Sequence, residues 1–266
     1  MHFLQKNLFF IKNTDNNKAM KGQISDLEFE QAELCGNMHQ FSTTTVKGVR
    51  VMINRQGGGQ APYSTAVEFS KSATKYAITR SARLLKSMLN GCFLYPNDVL
   101  IVGVGNGRMT SDSLGTRTVL RLAESDLDVM TFLPSVEGLT GIPSNKLTAS
   151  VVRECGAKIV LAIDALCARS YQRIGKVVQM TKNGIVAGGA LGLGRAYTQQ
   201  TLSVPVIAIG VPIVVSAHGL LQSNNISNFA DESLKDLIVA PKDVDRVVSD
   251  AADMLFSIIF RAIRNK

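Results

Sequence analysis

DVLIVGVGNGRMTSDSL, residues 98–114, is the stretch that decides the fold. Residues 99–104 are almost wholly apolar, the composition of a strand buried on both faces. Gly103, Gly105 and Gly107 follow, then Asp112, and from Ser113 a helical spacing of Leu114, Val119, Leu120 and Leu122. A buried strand, a tight loop and a helix start, in that order, are the unit of an open parallel sheet. Such sheets collect their chemistry at the carboxyl ends of the strands, so residues 105–112 are the expected site. The loop is not a dinucleotide fingerprint. Gly103 and Gly105 give the first two glycines of GxGxxG, but the sixth position is Arg108, whose side chain obstructs close approach of a pyrophosphate.

Working outward, residues 129–133 form a second short strand, followed by the loop PSVEGLTGIPSN, a helix over about 144–155 and the buried strand KIVLAI, which stops at Asp164. This is β-α-β-α-β, and crossovers between parallel strands are helical and right-handed, so helices should cover both faces of the sheet. Further on, 174–180 and 205–211 are expected strands, 183–194 a glycine-rich loop and 220–236 a polar loop. From Pro241 a final helix aligns Val244, Val248, Ala251, Leu255, Ile258 and Ala262 on one face. Upstream, a helix is expected over 70–89 and an edge strand or hairpin over 44–54. Residues 1–43 are expected as an irregular or peripheral arm with a short helix in 26–34. The expected organisation is this arm and a single domain over 44–266.

A chain of 266 residues, 45% hydrophobic, can bury a large core. The four cysteines, Cys35, Cys92, Cys155 and Cys167, have no CxxC spacing and are expected as reduced thiols in a cytoplasmic protein. No apolar run approaches the ~20 residues of a membrane span, and the apolar burst at 8–11 is too short for a secretory core. The net charge of +8 permits acidic partners, but no interleaved basic and aromatic block marks a direct nucleic-acid interface.

Two aspartates follow buried strands: Asp112 after the GVGN loop and Asp164 after KIVLAI. Set side by side at one sheet edge, two carboxylates share a proton, and the pair can activate water and protonate a leaving group. Spacing alone leaves equally open that Asp112 caps a helix and Asp164 a turn. Other chemistries lack their parts. His2, His39 and His218 are isolated, no HExxH or GxSxG is present, and Cys167 has only His218 as a conceivable base. The glycines of 184–194 suit either close passage of a substrate backbone or a mobile loop.

VGVGNGRMTSDSLGTRTV at 102–119, EGLTGI at 137–142, AIDALCARSYQRI at 162–174, QTLSVPVIAIGVPIVV at 200–215 and IVAPKDVDRVVSDAADM at 238–254 together resemble the germination protease (spore protease) family. ISDLEFEQAEL at 24–34 extends the likeness more faintly. The resemblance implies a three-layer α/β/α fold with a mostly parallel central sheet, similar to the hydrogenase-maturation endopeptidases. It also implies an atypical aspartic-type endopeptidase that degrades small acid-soluble spore proteins in the spore core or forespore, using no cofactor and no metal and assembling as a homo-oligomer. Its catalytic pair falls on Asp112 and Asp164. Its propeptide, residues 1–26 here, would be removed by self-cleavage at the bond between Asp26 and Leu27, with Glu28 and Phe29 in reserve. Asn106, Thr140, Gly141, Gly188 and Gly189 are the candidate substrate-loop residues. The chain departs from the family pattern at Ser111 and Thr116, where prolines flank the first aspartate, at Ser216, at Ala240 and throughout 186–197. A non-cleaving homologue that binds spore proteins or a partner, and a metal-dependent maturation peptidase, are the alternatives.

Overall fold

The computed structural model describes residues 25–55, 61–93, 95–187, 195–223 and 237–264. Its centre is a nine-stranded mixed sheet. The parallel part is built from β4 (Val99–Gly103), β5 (Met130–Phe132), β6 (Ile159–Ala168) and β10 (Val206–Ser216), in the spatial order β5-β4-β6-β10. Beyond β10 the sheet continues antiparallel through β7 (Val177–Thr181), β3 (Ser64–Phe69), β2 (Val49–Asn54) and β1 (Phe41–Val46), and β11 (Ile238–Val239) pairs with the far end of β10. The parallel sheet expected from β-α-β alternation is therefore one half of the structure, and hairpin-type pairing supplies the other.

Helices cover both faces. On one side α2 (Thr74–Leu89), α3 (Leu114–Ala123) and α8 (Val244–Arg264) pack against Ile101, Ile163, Met180 and Ile209. Alternation along the strands turns Val102, Ala162, Leu166 and Val177 to the other side. There α5 (Ser144–Cys155) and α6 (Gln199–Leu202) cover the β4–β6 region, and α1 (Glu28–Leu34) covers Met52, Ala66 and Val177. The result is an α/β architecture with helices on both sides of the sheet. Between α3 and α5 the short helix α4 (Glu137–Thr140) follows β5.

Several local expectations are corrected. KIVLAI does not stop at Asp164: β6 runs to Ala168 because β10 goes on pairing with it, across a register shift between Pro212 and Val214, after β4 has ended on the other side. Residues 64–69 are a strand, hidden in the sequence by Ser64, Thr65 and Glu68 interrupting the apolar alternation. The strand expected from Ile174 begins at Val177, after a 3-10 turn at Tyr171–Arg173 and Gly175 at φ +67°. The glycine-rich loop is flanked by a small ladder, β8 (Ile185–Ala187) with β9 (Arg195–Tyr197), while Gly188 and Gly189 lie outside the described residues. The polar loop expected over 220–236 begins inside a helix, α7 (Ala217–Ser223). Nor is the arm peripheral where it is described: Leu27 and Phe29 are wholly buried.

Candidate active site

Asp112 is held by the turn that leaves β4. Gly105 sits at φ +100°, and a Cβ there would lie 2.3 Å from the Asp112 carbonyl oxygen, so a side-chain-free residue is needed for the loop to fold back. The fold-back aims the N–H of Asn106 at Asp112 Oδ2, 2.7 Å away. This bond orients the carboxylate toward the cavity in front of the sheet.

Asp164 lies within β6, one residue beyond the register pair of Gly103 with Ile163, where β4 ends. Losing that neighbour opens a crevice at the strand edge, the position predicted for ligands in open α/β sheets. On its other side Asp164 pairs with Gly210 of β10, and Gly210 pairs in turn with Gln179 of β7. Asp164, Gly210 and Gln179 thus form one row across three strands and share a face. The middle position cannot carry a side chain without displacing Leu166, since an added Cβ would meet its Cγ at 2.7 Å. A cavity of about 780 Å³ lies over this row, and Asp26, Asn106, Asp112, Asp164 and Gln179 all line it.

The same cavity is lined by a segment of the chain itself, a bend at Asp26 leading into α1. The N–H of Asp26 donates to the Cys167 carbonyl at 2.8 Å, and the N–H of Cys167 donates to Asp26 Oδ2 at 2.8 Å. Gln179 Nε2 donates to the Asp26 carbonyl at 3.0 Å, while its Oε1 accepts from the N–H of Glu28 at 2.7 Å. Leu27 is buried in the apolar cluster that includes Met52, Ala66 and Leu166. Behind the segment, the fully buried Glu30 accepts from Ser25 Oγ, from the N–H of Arg169 at 2.7 Å and from Arg173 Nη1. Arg173 also pairs with Glu33 and Glu68 and lies 4.6 Å over the Phe29 ring.

Three carboxyl groups therefore meet in a poorly hydrated place. Burial raises Asp112 above the ordinary carboxylate range, opposed by the Asn106 N–H. Asp164 is pushed well above that range, by burial first, then by Asp112 and Asp26, with the N–H of Ala165 opposing. Asp26 is raised to about 6 by burial, against the Cys167 N–H and with help from Glu30. Asp112 contributes to the upward push on Asp164, so the two carboxyls interact, and interacting carboxyls titrate as a unit.

Of the candidate residues, Asp112, Asp164, Asp26 and Asn106 are brought to one cavity. Thr140 and Gly141 lie at the exposed end of α4, beyond the cavity-lining Glu137 and Gly138. Cys167 is not a nucleophile. Burial, Asp26 and Glu30 push its thiol up to about 12, and His218 Nε2 is engaged with Gln222. All four cysteines are free thiols. No group of three or more His, Cys, Asp or Glu among the described residues is arranged to hold a metal, and no described helix is long and apolar enough to cross a membrane.

Gln179, Glu30 and Arg173 were not anticipated from the residues. The available signal for Gln179 was a lone amide inside the apolar run VVQM, a residue that a buried strand tolerates only when both of its polar ends are bonded.

Comparison with known proteins places the sequence beside one family. The sequence profile of a family described as germination protease matches residues 12–231. The germination protease of Bacillus velezensis is 31% identical over 226 residues, covering 78% of this chain and 56% of that protein. That of Caldanaerobacter subterraneus subsp. tengcongensis is 35% identical over 155 residues, 52% of this chain and 48% of the relative, and that of Priestia megaterium 37% over 139 residues, 46% and 38% respectively. The chain spans about half the length of the curated relatives it matches.

Proposed function

Since the chain belongs to the germination protease family, we propose that it is an endopeptidase of the aspartic type that cleaves small acid-soluble spore proteins during germination, with Asp112 and Asp164 as its catalytic pair. The observation that carries this reading is the meeting of a buried Asp164 and a part-buried Asp112, both raised and the first partly by the second, in a cavity that the Asp26 segment also lines.

The chemistry follows from the two environments. In this reading Asp164, the more deeply enclosed, serves as the acid, and Asp112, with a backbone N–H on Oδ2, serves as the base. Asp112 takes a proton from water as the water oxygen adds to the peptide carbonyl carbon, giving a tetrahedral oxyanion. Collapse of that intermediate breaks the C–N bond, and the Asp164 proton goes to the departing nitrogen. The products are a new carboxyl and an amine, and the proton left on Asp112 is shared again with Asp164. The bond cut in self-processing is that between Asp26 and Leu27, with Asp26 lining the cavity and Leu27 buried beside it; removal of residues 1–26 converts a zymogen to its mature form. Cleavage beside an acidic residue fits a site in which Asp26 Oδ2 is received by a backbone N–H.

The test is intact-mass analysis of a small acid-soluble spore protein incubated with wild type, Asp112→Asn and Asp164→Asn, chelator present throughout. Fragments ending in an acidic residue from wild type alone support the reading. A spore protein that binds wild type and stays whole contradicts it and favours the non-cleaving alternative.

A further inference from the structure

We infer that Gln179 is a further catalytic residue for the self-processing bond, the donor that polarises the Asp26 carbonyl and receives the oxyanion formed there. The inference rests on the proposed cleavage between Asp26 and Leu27 and adds to it the group that handles the developing negative charge.

Two carboxyls supply a base and an acid but no donor fixed on the carbonyl oxygen, and the oxyanion formed as Asp112 takes the proton of the attacking water needs one. Gln179 meets the requirement. Its Nε2 donates to the Asp26 carbonyl at 3.0 Å, and its Oε1 accepts from the N–H of Glu28 at 2.7 Å, so one planar amide brackets the bond from both sides. The acceptor half matters for the donor half. With Oε1 engaged by Glu28, the amide cannot flip, and Nε2 stays on the carbonyl. The residue is buried within β7, whose pairing with β10 fixes its Cα opposite Gly210, in the same row as Asp164. Adjacent strands are ~4.8 Å apart, so Gln179 and Asp164 stand ~10 Å apart with a glycine between them, room for one extended chain. Docking of the segment has independent anchors in Glu30 with Arg173 and in the burial of Leu27 and Phe29. The amide is therefore available for the reaction rather than needed to hold the segment in place.

The experiment follows the first-order appearance of the fragment beginning at Leu27 in wild type, Gln179→Met and Gln179→Glu, together with amide hydrogen exchange over residues 25–34. Loss of one preorganised oxyanion donor lowers a rate by roughly 10²–10³-fold. That loss is expected in Gln179→Met while exchange protection of 25–34 stays as in wild type. Gln179→Glu cannot donate when ionised, and its neutral acid can. Its rate relative to wild type should therefore climb as pH falls, a signature that a purely structural role does not give. Cleavage of Gln179→Met at the wild-type rate overturns the inference alone. So does a slow variant whose segment has lost its protection, which makes Gln179 an anchor. Wild type that keeps the Asp26 to Leu27 bond intact overturns the proposed self-processing and this inference with it.

Discussion

Docking of residues 25–34 onto the sheet should weaken as pH rises, and Asp26 sets the slope. In the docked segment burial lifts its carboxyl from 3.8 to about 6. Between those values the docked state binds more protons than the undocked state, so the stability of docking falls with increasing pH. The contribution is fully present below 3.8 and is lost as pH passes through about 6. A shift of about two units is worth ~3 kcal/mol, so the opening equilibrium of the segment should grow roughly 100-fold between about pH 4 and pH 7.5. The assay is amide exchange over residues 25–34, corrected for intrinsic rates, in an Asp112→Asn background that keeps the chain uncut. In the same background Asp26→Asn should flatten the profile, since an amide does not titrate. The reasoning is refuted if the two profiles have the same slope, or if protection with Asp26 present increases with pH.

Other outcomes follow from the same contacts. Arg173→Ala strands the fully buried Glu30 without its cation and should cost about 3–5 kcal/mol, read as a fall of ~10 °C in the melting midpoint. Gly105→Ala places a Cβ against the Asp112 carbonyl at a positive φ and displaces the carboxylate. Peptide cleavage should drop by at least ~10²-fold with the circular dichroism spectrum kept. Iodoacetamide should label the exposed Cys35 and Cys155 of the folded protein and leave Cys167 unmodified until the chain is denatured, as peptide mass mapping would show.

The strand–loop–helix unit was legible because each of its parts leaves a local mark: an apolar run from Val99, glycines where the backbone folds back, and an amphipathic spacing from Leu114. For the same reason α5 and α8 could be read from their periodicity. Asp112 and Asp164 could be singled out because both follow apolar runs. Strand β3 was missed because Thr65 and Glu68 are placed by partners distant in sequence, Glu68 meeting Arg173 more than a hundred residues on. The extension of β6 past Asp164 depends on β10, and no local pattern reports it. The docking of 25–34 is a long-range matter too. Glu30 reads as an exposed helix charge and is fully buried, because Arg173, Arg169 and Ser25 converge on it. Gln179 was visible only as an oddity in an apolar run, and its meaning required the segment that lies against it.

The most direct test of the proposed aspartate pair is self-cleavage carried out in ¹⁸O-labelled water, followed by peptide mass analysis of both products. Direct attack of an activated water predicts one ¹⁸O in the new α-carboxyl of Asp26 and none in the side chains of Asp112 and Asp164. Label in either of those side chains, with an unlabelled Asp26 terminus, would mean that a carboxylate attacks the peptide covalently and would contradict the account.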